Sequence, residues 1–246
     1  MLGSAKSIAS ANIVLNTAVA ESLKSYADRL ENVNNFEDAL HELIKKTIKD
    51  HKRIIFNGNG YDDEWIKEAE KRGLYNLPAT PDCLPYMISE KNVKLFEEHK
   101  VFTREELEAR HEIYFEGYCK TLNIEALTVL DMVNKDILPA ISKYVGKLCK
   151  TAERKKLFAA DCSYEEDIIK ELSGLSAFIY NKTNELERIL ASVKSAANTV
   201  EEANMFRDSI IPLMNEIRKA VDEAEREMSS EYWPYPSYAD LLFGIR

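Results

Sequence analysis

Two histidine–glutamate pairs come closest, in residue type and spacing, to a metal site in this sequence. The pairs, at positions 41–42 and 111–112, each begin like the motif H-E-x-x-H, in which two histidines one helical turn apart bind zinc and the glutamate acts as a base. The positions that should hold the second histidine are occupied by Lys45 and Phe115. The other two histidines are isolated, so we predict no metal-binding residue in this chain.

A glycine-containing run, Asn57-Gly58-Asn59-Gly60, is a candidate for phosphate binding. Its backbone N–H groups could hold a phosphate, and Asp62 begins a predicted helix directly after it. The run matches neither G-x-x-x-x-G-K-[ST] nor G-x-G-x-x-G. We interpret it as a tight turn with positive φ at one or both glycines, and a nucleotide-binding regulatory loop is the less favoured alternative.

Nucleophilic and acid–base catalysis have no recognisable site in the sequence. The pattern G-x-S-x-G is absent. Adjacent acidic residues at positions 62–63, 105–106 and 201–202 fall in predicted first turns of helices, where the helix dipole favours negative charge. The four cysteines show no C-x-x-C spacing and are interpreted as reduced structural thiols. We therefore predict no catalytic and no cofactor-binding residue.

Composition limits the class of protein. The 246 residues are 45% hydrophobic, which is enough for a sizeable core in one large or two small domains. A formal net charge of −9 and the lack of a dense Lys/Arg run argue against a nucleic-acid partner. No apolar stretch approaches the roughly 18 residues of a spanning helix, so we expect no membrane partner and a cytoplasmic location.

The element that must organise the chain is a long helix predicted at residues 103–148. It opens with Thr103 and Glu106 at capping-box spacing, and Pro139 is expected to kink it. At 1.5 Å per residue such a helix is roughly 70 Å long, which exceeds the width of one compact domain. We therefore expect it to join two regions.

The first predicted helix, residues 8–30, is apolar on an unusually wide face. Leu15, Val19 and Leu23 continue along one stripe to Tyr26 and Leu30. Further apolar residues widen that stripe on both sides. We expect such a helix to be covered on several sides, and the residues directly before it cannot provide that cover.

Shorter elements fill the rest of the first half. A helix is predicted at residues 36–49, followed by a short extended run at 52–56 and a brief helix that Asp62 caps. Residues 74–85 contain three prolines and predict a surface loop. Another brief helix is predicted at 90–99.

Two long helices are predicted in the second half. Residues 164–197 repeat apolar side chains in steps of four and three with Lys182 as the exception, and Ser163 with Glu166 is expected to cap them. A last helix opens with Thr199, and Pro212 is expected to bend it. The pair should form an antiparallel hairpin that packs on the long helix as a three-helix bundle. The aromatic segment 232–243 is predicted to be extended and to dock on this bundle rather than on a neighbouring subunit.

Three segments resemble the C-terminal third of type III glutamine synthetases. They read KRIIFNGNGYDDEWIKEAEKRGLYNL, EKNVKLFEEHKVFTREELEARHEIYFEGYCKTLNIEALTVLDM and WPYPSYADLLF, and the earlier SAKSIASANIVLNTAVAESL is similar to the helix that follows the last catalytic strand. The resemblance implies an all-α chain with helices that complete a catalytic domain at residues 1–120. An antiparallel bundle built on the long helix follows at 121–229, and an aromatic tail at 230–246.

The resemblance also implies an activity for the parent enzyme. Type III glutamine synthetases join ammonia to glutamate while ATP is hydrolysed through a γ-glutamyl phosphate, with magnesium or manganese at the site, and they assemble as homo-oligomeric rings. Their metal-binding carboxylates and substrate-binding arginines come from strands that would precede Met1. This stretch alone is therefore expected to be inactive and to serve structure and oligomerisation. A stand-alone helical interaction module derived from such an enzyme is the alternative.

One short loop resembles a regulatory site of a related class. Residues 74–78, with Tyr75, are similar to the loop of bacterial type I enzymes in which a tyrosine is adenylylated. Type III members generally lack that tyrosine. We interpret Tyr75 as an unmodified loop residue.

Overall fold

The computed structural model describes residues 7–244, and every regular element in that range is helical. The predicted all-α class is confirmed. The helices, in chain order, are α1 (Ala9–Leu30), α2 (Phe36–Asp50), α3 (Asp63–Lys71), α4 (Thr80–Met87), α5 (Glu90–Glu98), α6 (Arg104–Met132), α7 (Leu138–Leu157), α8 (Ser163–Val193), α9 (Thr199–Met205), α10 (Ile211–Glu227) and α11 (Tyr238–Phe243). Within residues 7–244, no helix combines the length and apolar character needed to cross a membrane.

The chain separates into two compact units, residues 1–114 and 115–246. The first unit has a small core in which Val93 and Phe96 of α5 meet Leu107 of α6. These three side chains are at most 3% exposed. Four partly buried residues pack against them: Ile13, Met87, Ile88 and Phe102.

The predicted capping box at the start of α6 is confirmed. The backbone N–H of Glu106 donates to Thr103 Oγ1 over 3.2 Å, and the N–H of Thr103 donates to Glu106 Oε2 over 2.9 Å. Two backbone donors at the helix start are thereby paired.

The caps predicted for the two later helices are displaced by one residue or more. At α9 the carbonyl oxygen of the Asn198 side chain accepts from the N–H of Glu201 over 2.9 Å, so Asn198 and not Thr199 is the cap. At α8 the carboxylate of Asp161 accepts from the N–H of Ser163 over 3.2 Å. Asn and Asp bind free N–H groups at least as well as Ser or Thr, which explains both displacements.

The turn around Gly58 differs from its prediction. Residues 52–54 form a 3-10 turn instead of an extended run. Among the described glycines only Gly73 has positive φ, at 71°, so the prediction for Gly58 and Gly60 was wrong. A Cβ at Gly58 would lie 2.4 Å from the far end of the Phe56 ring, so a larger residue there would require that ring to shift.

The proline-rich stretch 74–85 is also more regular than predicted, because α4 begins at Thr80. Pro81 lies in the first turn, where its missing N–H costs no hydrogen bond. The carboxylate of Asp82 accepts from the N–H of Ala79 over 3.3 Å. Pro81 and Leu84 are buried, so packing holds this helix in place.

Two π-helical segments accompany prolines in the second unit. Residues 133–137 precede Pro139, and residues 206–210 precede Pro212. Within each segment a backbone bond spans five residues, from Leu138 N–H to the Val133 carbonyl and from Ile211 N–H to the Phe206 carbonyl. Proline lacks an N–H and crowds the carbonyl four residues earlier. The wider π turn accommodates both effects, so the chain stays helical through each proline.

The core of the second unit forms where α8 packs against α7 and α10. The side chains buried along α8 include Leu172, Ile179, Thr183, Leu186, Leu190 and Val193. The hydroxyl of buried Thr183 donates to the Ile179 carbonyl over 2.7 Å. Lys182, the exception in the predicted repeat, lies at the edge and forms ion pairs with Glu185 at 3.1 Å and Glu216 at 2.9 Å.

The aromatic tail lies against its own unit. The phenol of Tyr235 donates to Asp136 Oδ2 over 2.9 Å, and the ring centroids of Tyr232 and Tyr144 are 5.1 Å apart. The segment predicted to be extended, residues 232–243, instead contains a turn at 232, bends at 234–235 and the helix α11, which Ser237 caps. Its hydroxyl accepts from the N–H of Asp240 over 3.2 Å, and its own N–H donates to that carboxylate over 2.8 Å.

We expect Ile179→Ala to lower the free energy of unfolding by about 2–5 kcal/mol, because Ile179 is fully buried and the truncation leaves a cavity. The matched control, Ile124→Ala, removes a side chain that is 64% exposed and should change stability by less than about 1 kcal/mol. Urea unfolding followed by far-ultraviolet circular dichroism measures both. Equal midpoints for the two variants would contradict the proposed core.

We expect Tyr235→Phe to destabilise the tail contact by about 1 kcal/mol through loss of one hydrogen bond to a carboxylate. Burial, followed by the hydrogen bond to Asp136, raises the pKa of Tyr235 from 10 to about 12. Because the folded state favours the protonated phenol, this stabilisation is complete below pH 10 and is lost as the pH rises toward 12. The stability difference between wild type and variant should therefore shrink over that window. The control Tyr180→Phe, on an exposed ring, should show no such difference.

Candidate functional site

An uncovered apolar face on α1 is the main candidate site. Leu15, Val19 and Leu23 follow one another at four-residue intervals and therefore lie on one side of the helix. Their exposed fractions are 62%, 56% and 62%. We call these three residues the α1 face. The sequence predicted that this helix needs cover on several sides, and the described part of the first unit leaves this side uncovered.

Polar contacts on the opposite side fix the rotation of α1. Thr17 is buried, and its hydroxyl donates to the Ile13 carbonyl over 2.7 Å. Glu21 Oε2 lies 2.8 Å from Nε2 of His99. The hydroxyl groups of Ser10 and Tyr114 are hydrogen-bonded. The contacts of Glu21 and Ser10 join α1 to the end of α5 and to α6, whereas the Thr17 bond lies within α1. With Thr17 buried on that same side, the α1 face points away from the core of the first unit.

A second apolar row lies on α2. Phe36, Ile44 and Ile48 fall in one four-residue register with the partly buried Leu40, and they are 56%, 48% and 55% exposed. No residue of α2 is fully buried. Scattered exposed apolar residues are ordinary in proteins, but rows of them on two helices are typical of surfaces that contact other polypeptide.

The Gly58–Gly60 loop offers no open anion site at the start of α3. The carboxylate of Asp62 caps that helix by accepting from the N–H of Glu64 over 3.2 Å. The side-chain oxygen of Asn59 accepts from the N–H of Tyr61 over 3.1 Å. A capping carboxylate repels a phosphate at the same helix end, so the geometry favours the plain turn.

The histidines and cysteines do not converge on a reactive centre. Within residues 7–244, no three His, Cys, Asp or Glu side chains lie close enough to hold a metal ion. Burial, assisted by the charge of Glu202, raises the pKa of Cys119 to about 11. Burial also raises the pKa of the Cys83 thiol. Both cysteines are therefore poor nucleophiles at neutral pH.

Tyr75 lies in an open position. Its side chain is 77% exposed, and its ring centroid lies 5.0 Å from that of Tyr86. The predicted interpretation of Tyr75 as an unmodified loop residue stays a prediction.

Comparison with known proteins identifies the chain. The family model for the glutamine synthetase C-terminal domain matches residues 39–156. The match begins in α2 and ends in the last turns of α7.

Three curated relatives are similar over most of the chain. It is 38% identical over 215 residues to a glutamine synthetase of Butyrivibrio fibrisolvens, which is 87% of the chain and 31% of that protein. It is 35% identical over 94% of its length to the type-3 glutamine synthetase of Dictyostelium discoideum, and 28% identical over 98% to a glutamine synthetase of Bacteroides fragilis (strain YCH46). The chain spans about a third of the length of each relative, 31%, 33% and 34%. Because the chain matches both the type-3 enzyme and the family model for the C-terminal domain, it belongs to the glutamine synthetase family and corresponds to the C-terminal portion of these enzymes.

Proposed function

We propose that this chain is the C-terminal part of an enzyme that ligates ammonia to glutamate with hydrolysis of ATP. The observation that carries the proposal is the similarity to glutamine synthetases over 87–98% of the chain. In this proposal ATP, magnesium or manganese, and the catalytic residues belong to the other two-thirds of the enzyme. The present chain alone is then inactive.

The α1 face gives this part a physical role. Leu15, Val19 and Leu23 each still expose more than half of their surface, so covering them contributes roughly 1 kcal/mol each. We propose that the catalytic part of the enzyme provides the cover. The contacts of Glu21 with His99 and of Ser10 with Tyr114 orient α1 for that docking.

We further propose that the enzyme is a homo-oligomeric ring in the cytoplasm and that the second unit supplies subunit contacts. Leu157 and Phe158, at the end of α7, are 82% and 85% exposed. Leu241, Leu242 and Phe243 of α11 are also more than 60% exposed. Apolar groups this exposed support a contact role.

The uncovered faces also favour a second candidate, a helical interaction module that acts without a catalytic part. Both candidates need a polypeptide on the α1 face. They differ in whether the chain supports glutamine formation when it is joined to a catalytic part.

A chimeric enzyme tests the proposed activity. The last third of the Butyrivibrio fibrisolvens enzyme is replaced by this chain, and glutamine formation from ATP, glutamate and ammonia is measured. We expect the truncated relative and the isolated chain to be inactive and the chimera to be active. A chimera that folds and yet forms no glutamine would contradict the proposal.

The α1 face makes a separate prediction about the isolated chain. Leu15→Gln with Leu23→Gln should reduce the fluorescence of a bound hydrophobic dye several-fold and leave the unfolding midpoint nearly unchanged, because both side chains are exposed. In the chimera the same pair should abolish most of the activity. The control Lys24→Gln, on the same helix beside this row, should behave like wild type in both assays. Full activity of the Leu15/Leu23 chimera would show that nothing docks on the α1 face.

A further inference from the structure

A basic cavity lies in the first unit, apart from the α1 face. It has a volume of about 700 Å³ and lies between the C-terminal half of α2, the 3-10 turn after it and Arg72 at the end of α3. Five of its seven lining residues are cationic: Lys45, Lys49, Lys52, Arg53 and Arg72. The other two are Ile48 and Ile55. No acidic residue lines this cavity, although the chain as a whole has a net charge of −9.

Most of these charges are not neutralised by neighbours. Within the described part of the chain, no carboxylate lies within 4.0 Å of the side-chain nitrogens of Lys49, Lys52 or Arg53. Lys45 pairs with Glu42 at 3.1 Å, but both side chains are more than 70% exposed, so the pair contributes little. The cavity opens to solvent and is surrounded by exposed positive charges that an anion could neutralise.

Arg72 fixes one wall of the cavity. Its Nη1 donates to the backbone carbonyls of Arg53 and Ile55 over 3.3 and 3.0 Å, and its Nε donates to Glu68 over 2.6 Å. Its guanidinium also lies 5.5 Å from the centroid of the Trp65 ring. These contacts join the backbone of the 3-10 turn to α3. The backbone that carries the side chains of Lys52 and Arg53 is therefore held in place.

The size and the walls of the cavity suit a small ligand with an apolar part. Ligand cavities are typically about 300–1,000 Å³, and this one falls within that range. Ile48 and Ile55 are 55% and 48% exposed and provide apolar contact surface beside the charges.

We propose that this cavity binds a small phosphate-bearing anion, with Lys49, Lys52 and Arg53 at the phosphate. Charge-assisted hydrogen bonds from ammonium and guanidinium groups to phosphate oxygens are about twice as strong as neutral ones. Free phosphate and a nucleoside monophosphate share this chemistry. The isoleucines favour the larger ligand. The proposal does not depend on the enzymatic activity proposed above.

Calorimetric titration of the full 246-residue chain tests the proposal, with AMP, inorganic phosphate and adenosine as separate probes at low ionic strength. We expect AMP and phosphate to bind and adenosine not to bind. The triple variant Lys49→Gln, Lys52→Gln, Arg53→Gln should weaken binding at least about 10-fold. Because the cations are exposed, binding should also weaken as salt is added.

A matched variant controls for overall charge. Lys46→Gln, Lys67→Gln and Lys71→Gln remove the same three charges from α2 and α3 at positions that do not line the cavity. This control should bind within about twofold of wild type. Circular dichroism confirms that both variants are folded.

Each outcome of the titration decides the proposal. Binding that only the first triple variant loses supports it, with a phosphate site if both probes bind equally and a nucleotide site if AMP binds more tightly. Absence of binding at millimolar AMP and phosphate overturns it, as does equal loss in both variants or binding of adenosine alone. Much tighter binding of a short single-stranded RNA than of AMP would also overturn the proposal, because the ligand would then be a nucleic acid and not a small anion.

Discussion

Burial of the α8 stripe between α7 and α10 is the interaction on which the second unit depends. A helix without a sheet to pack on can cover its apolar side only with other helices, and α8 finds both partners within its own unit. Thr183 fits within this stripe because its hydroxyl donates to a carbonyl of the same helix. Lys182 fits beside the stripe because Glu185 and Glu216 pair with its ammonium group at the edge.

In the first unit the apolar faces of the helices are only partly buried. Its core centres on three fully buried side chains, Val93, Phe96 and Leu107, and α1 contacts it along one side only. The sequence of α1 is apolar over a wider arc than α2 and α5 cover. The two units thus differ, since α8 finds cover for its apolar stripe within the second unit and the α1 face stays uncovered within the first.

Much of this fold could be predicted from the sequence, because helical periodicity and the Thr103 capping box are local signals. The failures have local physical causes as well. Caps moved to Asn198 and Asp161 because several adjacent residues can accept the same free N–H groups. The close approach of Gly58 to the Phe56 ring is a contact that no residue pattern shows. The bends predicted at Pro139 and Pro212 stay predictions, and the π turns that precede both prolines were not foreseen.

The basic cavity escaped the sequence analysis for a different reason. A search for motifs asks for residue types at fixed spacing along the chain, and it correctly found neither phosphate-binding glycine pattern. The cations of this cavity come from α2, the 3-10 turn and the end of α3, and Arg72 brings the last two together by binding backbone carbonyls. Charge that converges through such backbone contacts leaves no signal in spacing or in a net charge of −9. Sites of this kind are therefore found from the fold, even where its helices are predictable in advance.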